Sequence, residues 1–174
     1  MNAYIAQRRA KFAVELKDAN VRMQFAAMLL SEDGERPIPV AESAMNRSDY
    51  AGKTLMQMMH SGFYGPINRG QLPGFIRQLQ HNPTLYARMN AAIEAVLAGS
   101  NIIQGFTDQG LPTDPNGRWP GGLRIHGEVF NDWGGGPNGH AGAKAWREAF
   151  MKGAAAPVQE APVQEAGKPP EEFA

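Results

Sequence analysis

The stretch Val21 to Arg47, VRMQFAAMLLSEDGERPIPVAESAMNR, sets the strongest constraint on how this chain folds. Val21, Met23, Phe25, Ala26, Ala27, Met28, Leu29 and Leu30 leave almost no polar side on a helix. A helix apolar nearly all round needs other elements on every face, so it belongs at the centre of a domain. Asp18 or Asn20 supplies its N-terminal cap, and Gly34 with Pro37 stops it. The helix runs directly into three acids, Glu32, Asp33 and Glu35.

The rest of the chain reads as helices that can wrap such a centre. Ala3 to Lys17 is amphipathic, with Ile5, Phe12 and Leu16 on the apolar face and Arg8, Arg9 and Lys11 expected outside. Pro39 to Ser48 fits a short helix with proline near its first turn. Thr54 to His60, Pro73 to Gln80 and Pro83 to Ala98 follow as further helices. The last carries Leu85, Met89, Ile93, Val96 and Leu97 at helical spacing and ends at Gly99. The methionines are read as core filler. Ala143 to Met151 closes the domain as a helix, with Trp146 and Phe150 facing inward.

Between Gly105 and Gly142 the pattern changes. More than half of the 20 glycines lie here, interleaved with Trp119, Phe130 and Trp133. A long ordered loop is expected, with one hairpin around Leu123 to Phe130; loops of this length in compact domains usually carry function. From residue 153 the chain is rich in Pro, Ala and Glu and repeats APVQE twice. The expected fold is mainly α: one helical domain over 1–152, then a disordered tail over 153–174.

Composition narrows the function classes. Lys plus Arg and Asp plus Glu are both 17, so nothing marks a nucleic-acid binder. No apolar run reaches bilayer length, and no membrane span is expected. The first twenty residues lack an apolar h-region, so no secretory signal is expected. Zero Cys removes disulfides, thiol nucleophiles and thiolate metal sites.

Glu32 is the leading candidate for chemistry. It sits at the negative end of a buried helix, where the dipole, the apolar surroundings and the neighbouring Asp33 and Glu35 all disfavour its charge. A carboxyl group raised towards neutrality can protonate a glycosidic oxygen. The bland alternative is that SEDGER is a solvated turn at a helix end.

LLSEDGERPIPVAESAMNR resembles the opening motif of the SleB-like cell wall hydrolases, with Glu32, Gly34, Glu35, Ala41, Ala44, Asn46 and Arg47 at comparable places. AAIEAVLAGSNIIQGFTDQG is similar to a later segment of that family, a helix ending in Ala-x-x-Gly before a sugar-facing turn. The resemblance covers roughly Val21 to Gly110, and the stretch Trp119 to His140 lies outside it. It implies a lysozyme-like helical fold that cuts the β-1,4 glycan strand of peptidoglycan without a cofactor. Glu32 is then the general acid and base, with Glu35 in support or as the alternative acid. A phage or prophage product fits, carried in a virion or held in the bacterial cytoplasm before release, with the tail as a tether to virion proteins.

Such an enzyme needs sugar contacts as well as an acid. Asn46, Tyr64, Asn68, Gln104, Thr107 and Asp108 are the candidates, together with Gln109 beside them; each also reads as an ordinary structural or loop residue. Asp108 is the candidate second carboxylate. With no obvious partner for Glu32, a lytic transglycosylase, which needs one acid, is slightly favoured over a hydrolase. A rival set, His126, Glu128, Asp132 and His140, would make a zinc peptidase if His126, Asp132 and His140 ligated a metal. Its spacing matches no zinc motif, and two histidines bonding within a Gly-rich loop are the simpler reading, so no metal is expected. The remaining alternative is a non-enzymatic virion or accessory protein that uses the Gly and aromatic loop for assembly.

Overall fold

The computed structural model describes residues 1–134 and 138–157. Among these the chain is mainly α, with eight helices and one small antiparallel sheet. The helices are α1 (Ala3–Glu15), α2 (Ala19–Asp33), α3 (Pro37–Ala51), α4 (Leu55–Met59), α5 (Gly65–Asn68), α6 (Leu72–His81), α7 (Pro83–Leu97) and α8 (Gly139–Ala155). The strands are β1 (Asp108–Gly110), β2 (Leu123–Ile125) and β3 (Glu128–Asn131), in the order β1-β3-β2.

The apolar α2 occupies the centre. Asp18 caps its start by accepting from the backbone N–H groups of Asn20 and Val21. Phe25, Ala26, Ala27, Met28 and Leu29 are buried, and α3, α4, α5, α6 and α7 all pack on it. Burying each of the large side chains contributes about 1.5–3 kcal/mol. Met45, Met58, Met59 and Met89 fill the same core. No helix among the described residues is long and apolar enough to cross a membrane.

Three expectations are corrected. First, α3 is longer than Pro39 to Ser48, because Pro37 and Pro39 both fall in its first turn. Backbone N–H groups there have no helical acceptor, so proline costs nothing. Second, the Gly-rich segment is more than a loop with one hairpin. The β2–β3 hairpin does form, turning at His126 and Gly127, which both have positive φ as a type I′ turn requires. But Asp108 to Gly110 pairs with β3 on its other side, too short a strand to show alternation. Third, Arg9 is buried. Its guanidinium donates to the carbonyls of Val96 (2.7 Å) and Ser100 (2.6 Å) at the end of α7 and to Asn46 Oδ1 (3.2 Å) on α3. Carbonyls at a helix C-terminus lack intrahelical donors, and a cation there satisfies them.

Glu42, fully buried on α3, stands beside this arginine. It accepts from the Ser100 hydroxyl and from the backbone N–H groups of Ile102 (3.0 Å) and Ile103 (2.9 Å). Asn46 Nδ2 donates to the Phe106 carbonyl (3.0 Å). The chain between α7 and β1 is thus held along its length by α1 and α3. It passes over a second, smaller core of Ile103, Phe106 and Phe130, against which Leu123 and Ile125 pack.

At the chain ends, α8 continues to Ala155, so residues 153–155 are helix and not tail. Asn2 Nδ2 donates to the Ala154 carbonyl at 2.8 Å and ties this end to α1. The remainder of the expected tail, 158–174, lies outside the described residues.

Glu42→Ala is expected to destabilise the domain by about 3 kcal/mol or more in urea unfolding. It leaves a buried guanidinium without its counter-charge and three donors without an acceptor. Val14→Ala, at an exposed position, is expected to fall within about 0.5 kcal/mol of the wild type.

Candidate functional site

The last turn of α2 delivers Glu32 from the core to the wall of a cleft of about 290 Å³. The cleft is bounded by Phe63, Gly65 and Pro66 around the start of α5, by Gln109 and Gly110 on β1, by Leu111, Asp114 and Asn116, and by Glu128 on β3. Helical body and sheet therefore face each other across it. Glu32 is half-buried, and Gln109 Nε2 donates to its Oε2 at 3.4 Å. Its Oε1 is buried and has no hydrogen-bond partner among the described residues. Burial raises the carboxyl above its ordinary range, while Arg69 and the Gln109 hydrogen bond pull it back. The α2 C-terminus, with no basic residue in its last turn, adds to the upward push.

Besides Asp114, which accepts from the Leu111 backbone N–H (3.1 Å), the cleft holds the carboxyl of Glu128. Burial, then the charges of Asp33 and Glu32, pushes it up to about 7, with Arg36 opposing. Two facing carboxyls that both resist ionisation keep a proton in the cleft near neutral pH. This pairing was not foreseen. Glu128 sits among histidines in the chain, and β3 carries it, from outside the stretch Val21 to Gly110, to the cleft that Glu32 lines. Strand β3 brings it back to the end of α2 from 96 positions away, a relation that no local spacing encodes.

The other acids have different places. Asp33 accepts from the backbone N–H groups of Glu35 (3.2 Å) and Arg36 (3.0 Å), which shapes the turn after α2. Glu35 itself is exposed and does not line the cleft. Asp108 is fully buried and forms an ion pair with Arg47, while its Oδ2 accepts from the Gly134 N–H (3.1 Å) and the Thr107 hydroxyl (3.3 Å). The Arg47 guanidinium also lies over the Phe63 ring, 3.7 Å from its centroid. Arg47 thus joins α3, β1 and the turn before α5, and Asp108 is an anchor for it. Breaking a buried pair of this kind costs several kcal/mol.

The expected sugar contacts divide in the same way. Asn46 and Thr107 are buried and bonded within the fold. Tyr64 is buried behind Phe63, which it meets edge-on at 5.0 Å, and burial pushes its phenol upward. Asn68 is exposed and donates to the Gly62 carbonyl (2.7 Å). Gln104 is exposed at positive φ. None of these lines the cleft, whereas Gln109, next along the chain, does. Asn116 Nδ2 fixes Gln109 by donating to its carbonyl (2.6 Å).

Among the described residues, no three His, Asp or Glu gather as a metal-ligand set. His126 is exposed at the hairpin turn, Asp132 accepts from Arg147 Nε at 2.9 Å, and His140 lies 4.6 Å from the Trp119 ring.

Because the Glu128 carboxyl is raised, its ionisation weighs against the folded state. Its contribution to stability is full below the ordinary carboxyl range and is lost as pH rises towards about 7. Glu128→Gln is therefore expected to raise Tm by about 2–4 °C at a pH of about 8 and to leave it nearly unchanged at about pH 4, by calorimetry. In Glu32→Gln the Glu128 titration, followed by carbon NMR, is expected to move downward, since a facing negative charge is gone.

No family model matches the chain, and no curated protein or solved structure matches it, so the chemistry of this cleft rests on its own geometry.

Proposed function

We propose that the protein cleaves the β-1,4 glycan strand of peptidoglycan, with Glu32 as the proton donor. One observation carries this reading. At the end of the central helix a carboxyl group has one oxygen held by Gln109 and the other buried, unpartnered and at the wall of a cleft, with a second raised carboxyl in the same cleft. A glycosidic oxygen that reaches the Glu32 carboxyl from the cleft receives its proton. The glycosidic bond then breaks through an oxocarbenium-like state. Gln109 holds the carboxyl oriented while the proton leaves. The resemblance of Val21 to Gly110 to the SleB-like cell wall hydrolases supports peptidoglycan as the glycan and a lysozyme-like arrangement of the fold.

Glu128 shifts the balance between the two routes. A lytic transglycosylase uses one acid and lets the sugar's own groups complete the reaction. A hydrolase needs a second carboxylate to activate water or to attack the sugar. Glu128 lines the same cleft as Glu32, which favours hydrolysis. Glu128 must be ionised to serve in that role, so its rise to about 7 makes activity increase as pH rises towards about 7.

Purified cell walls in a clearing assay test the proposal. Wild-type clearing is expected to rise as pH approaches about 7, where Glu128 ionises, and Glu32→Gln is expected to lower it by about 10²–10⁴-fold. An aryl glycoside with a good leaving group needs no acid, so Glu32→Gln retains activity on it and Glu128→Gln does not. Product strands are expected to carry reducing ends; 1,6-anhydro ends would assign the transglycosylase route instead. No clearing by the wild type at any pH would remove the enzyme and favour the virion or accessory protein.

A further inference from the structure

A second cavity, of about 540 Å³, opens at the far end of β3 from Glu128. Trp119, Pro120 and Gly121 form one side of it, and α8 supplies His140, Ala141 and Lys144 on the other. The Trp119 ring meets Trp133 (5.4 Å, edge-on) and His140 (4.6 Å, tilted), which restrain its orientation. Asp132 closes the cavity. It is 7% exposed, and its Oδ2 accepts from Arg147 Nε, while its Oδ1 is buried with no partner among the described residues.

The polar groups select the ligand. A buried acceptor without a partner among the described residues, on a side chain that lines a cavity, suits a ligand with an N–H or O–H. Arg147 already balances the Asp132 charge and lies over the Phe106 ring, and Lys144 adds a further positive charge, so a cation is a poor fit. An anion meets the Asp132 oxygen and is a poor fit too. A neutral molecule with hydroxyl or amide donors on its edge and C–H groups on its face satisfies both Oδ1 and the tryptophan wall. A pyranose has that form.

The two cavities are lined by neighbouring stretches of the same two segments. Asp132 follows Glu128 by four positions on an extended strand, so their backbones lie about 13 Å apart. The connection from β1 to β2 carries Asn116 into the Glu32 cleft and Trp119 into this one. The Trp119 N–H donates to the Asn116 carbonyl (3.2 Å), which also accepts from Asn131 Nδ2 (2.6 Å). A linear glycan that follows the direction of β3, the central strand, over this separation reaches both.

We infer that the Trp119–Asp132 cavity is a saccharide-binding subsite, taking an N-acetylated pyranose a few units along the strand from the bond at Glu32. The identity of the glycan rests on the proposed activity; the pairing of a pyranose with Trp119 and Asp132 does not.

The probe is tri-N-acetylglucosamine, titrated into full-length Glu32→Gln protein and followed by calorimetry and tryptophan fluorescence. Saturable binding is expected, weakened about tenfold or more by Trp119→Ala and by Asp132→Asn. Far-UV circular dichroism and Tm confirm that both variants fold, and Asp132→Asn keeps the side chain's shape should Trp119→Ala fail to fold. Unaltered affinity in both folded variants, or no saturable binding, overturns the inference. Wall clearing in the Glu32 background separates the two claims. Clearing by the wild type without Trp119-dependent binding removes the subsite and keeps the enzyme. Trp119-dependent binding without clearing removes the enzyme and keeps the subsite.

Discussion

A buried polar cluster, Arg9, Glu42 and Asn46, decides where everything after α7 goes. Each side chain sits on a helix of the apolar body, and each reaches backbone groups on distant elements: the carbonyls at the end of α7, the amides of Ile102 and Ile103, the carbonyl of Phe106. Burial lowers the Arg9 guanidinium to about 10, opposed by the nearby charge of Glu42. Charged groups in an apolar interior are costly unless every bond is made, so the cluster tolerates few arrangements. That intolerance is what fixes an otherwise irregular segment.

The cleft inherits its geometry from this cluster. With residues 99–107 held, β1 begins at a defined place, Asp108 meets Arg47, and Gln109 faces Glu32. The sheet then adds Glu128 through β3. The carboxyl groups are kept partly out of water by the same packing that positions them, so position and raised pKa have one cause. Ionising these groups works against stability, and a fold with a large apolar centre around α2 can carry that cost.

Much of the helical body was legible along the chain. The run Val21 to Leu30 reads as a central helix because no face of it is polar, and α1, α4, α6 and α7 follow from apolar spacing and caps such as Asp18 and Thr54. Glu32 was legible as a candidate for the same local reason, since it follows directly from a buried helix. Arg9 and Glu42 were not. A charged residue on an amphipathic helix is normally a solvated one, and only unsatisfied backbone groups on distant elements make its burial favourable. Glu128 was noticed in the wrong company, beside histidines close in sequence. Tyr64, Asn46 and Thr107 have the polar groups that sugar contacts require, yet packing closes them off from the cleft.

The sequence by itself determined most of the helices, the central place of α2, and the emergence of an acid from its last turn, because these depend on neighbours three or four residues apart. The tertiary structure alone decided which polar side chains became internal fasteners, which acid stands with Glu32, and that Asp132 and Trp119 share a cavity beyond it. Those outcomes depend on strand pairing and on desolvation by distant segments. Neither leaves a periodic trace in the chain.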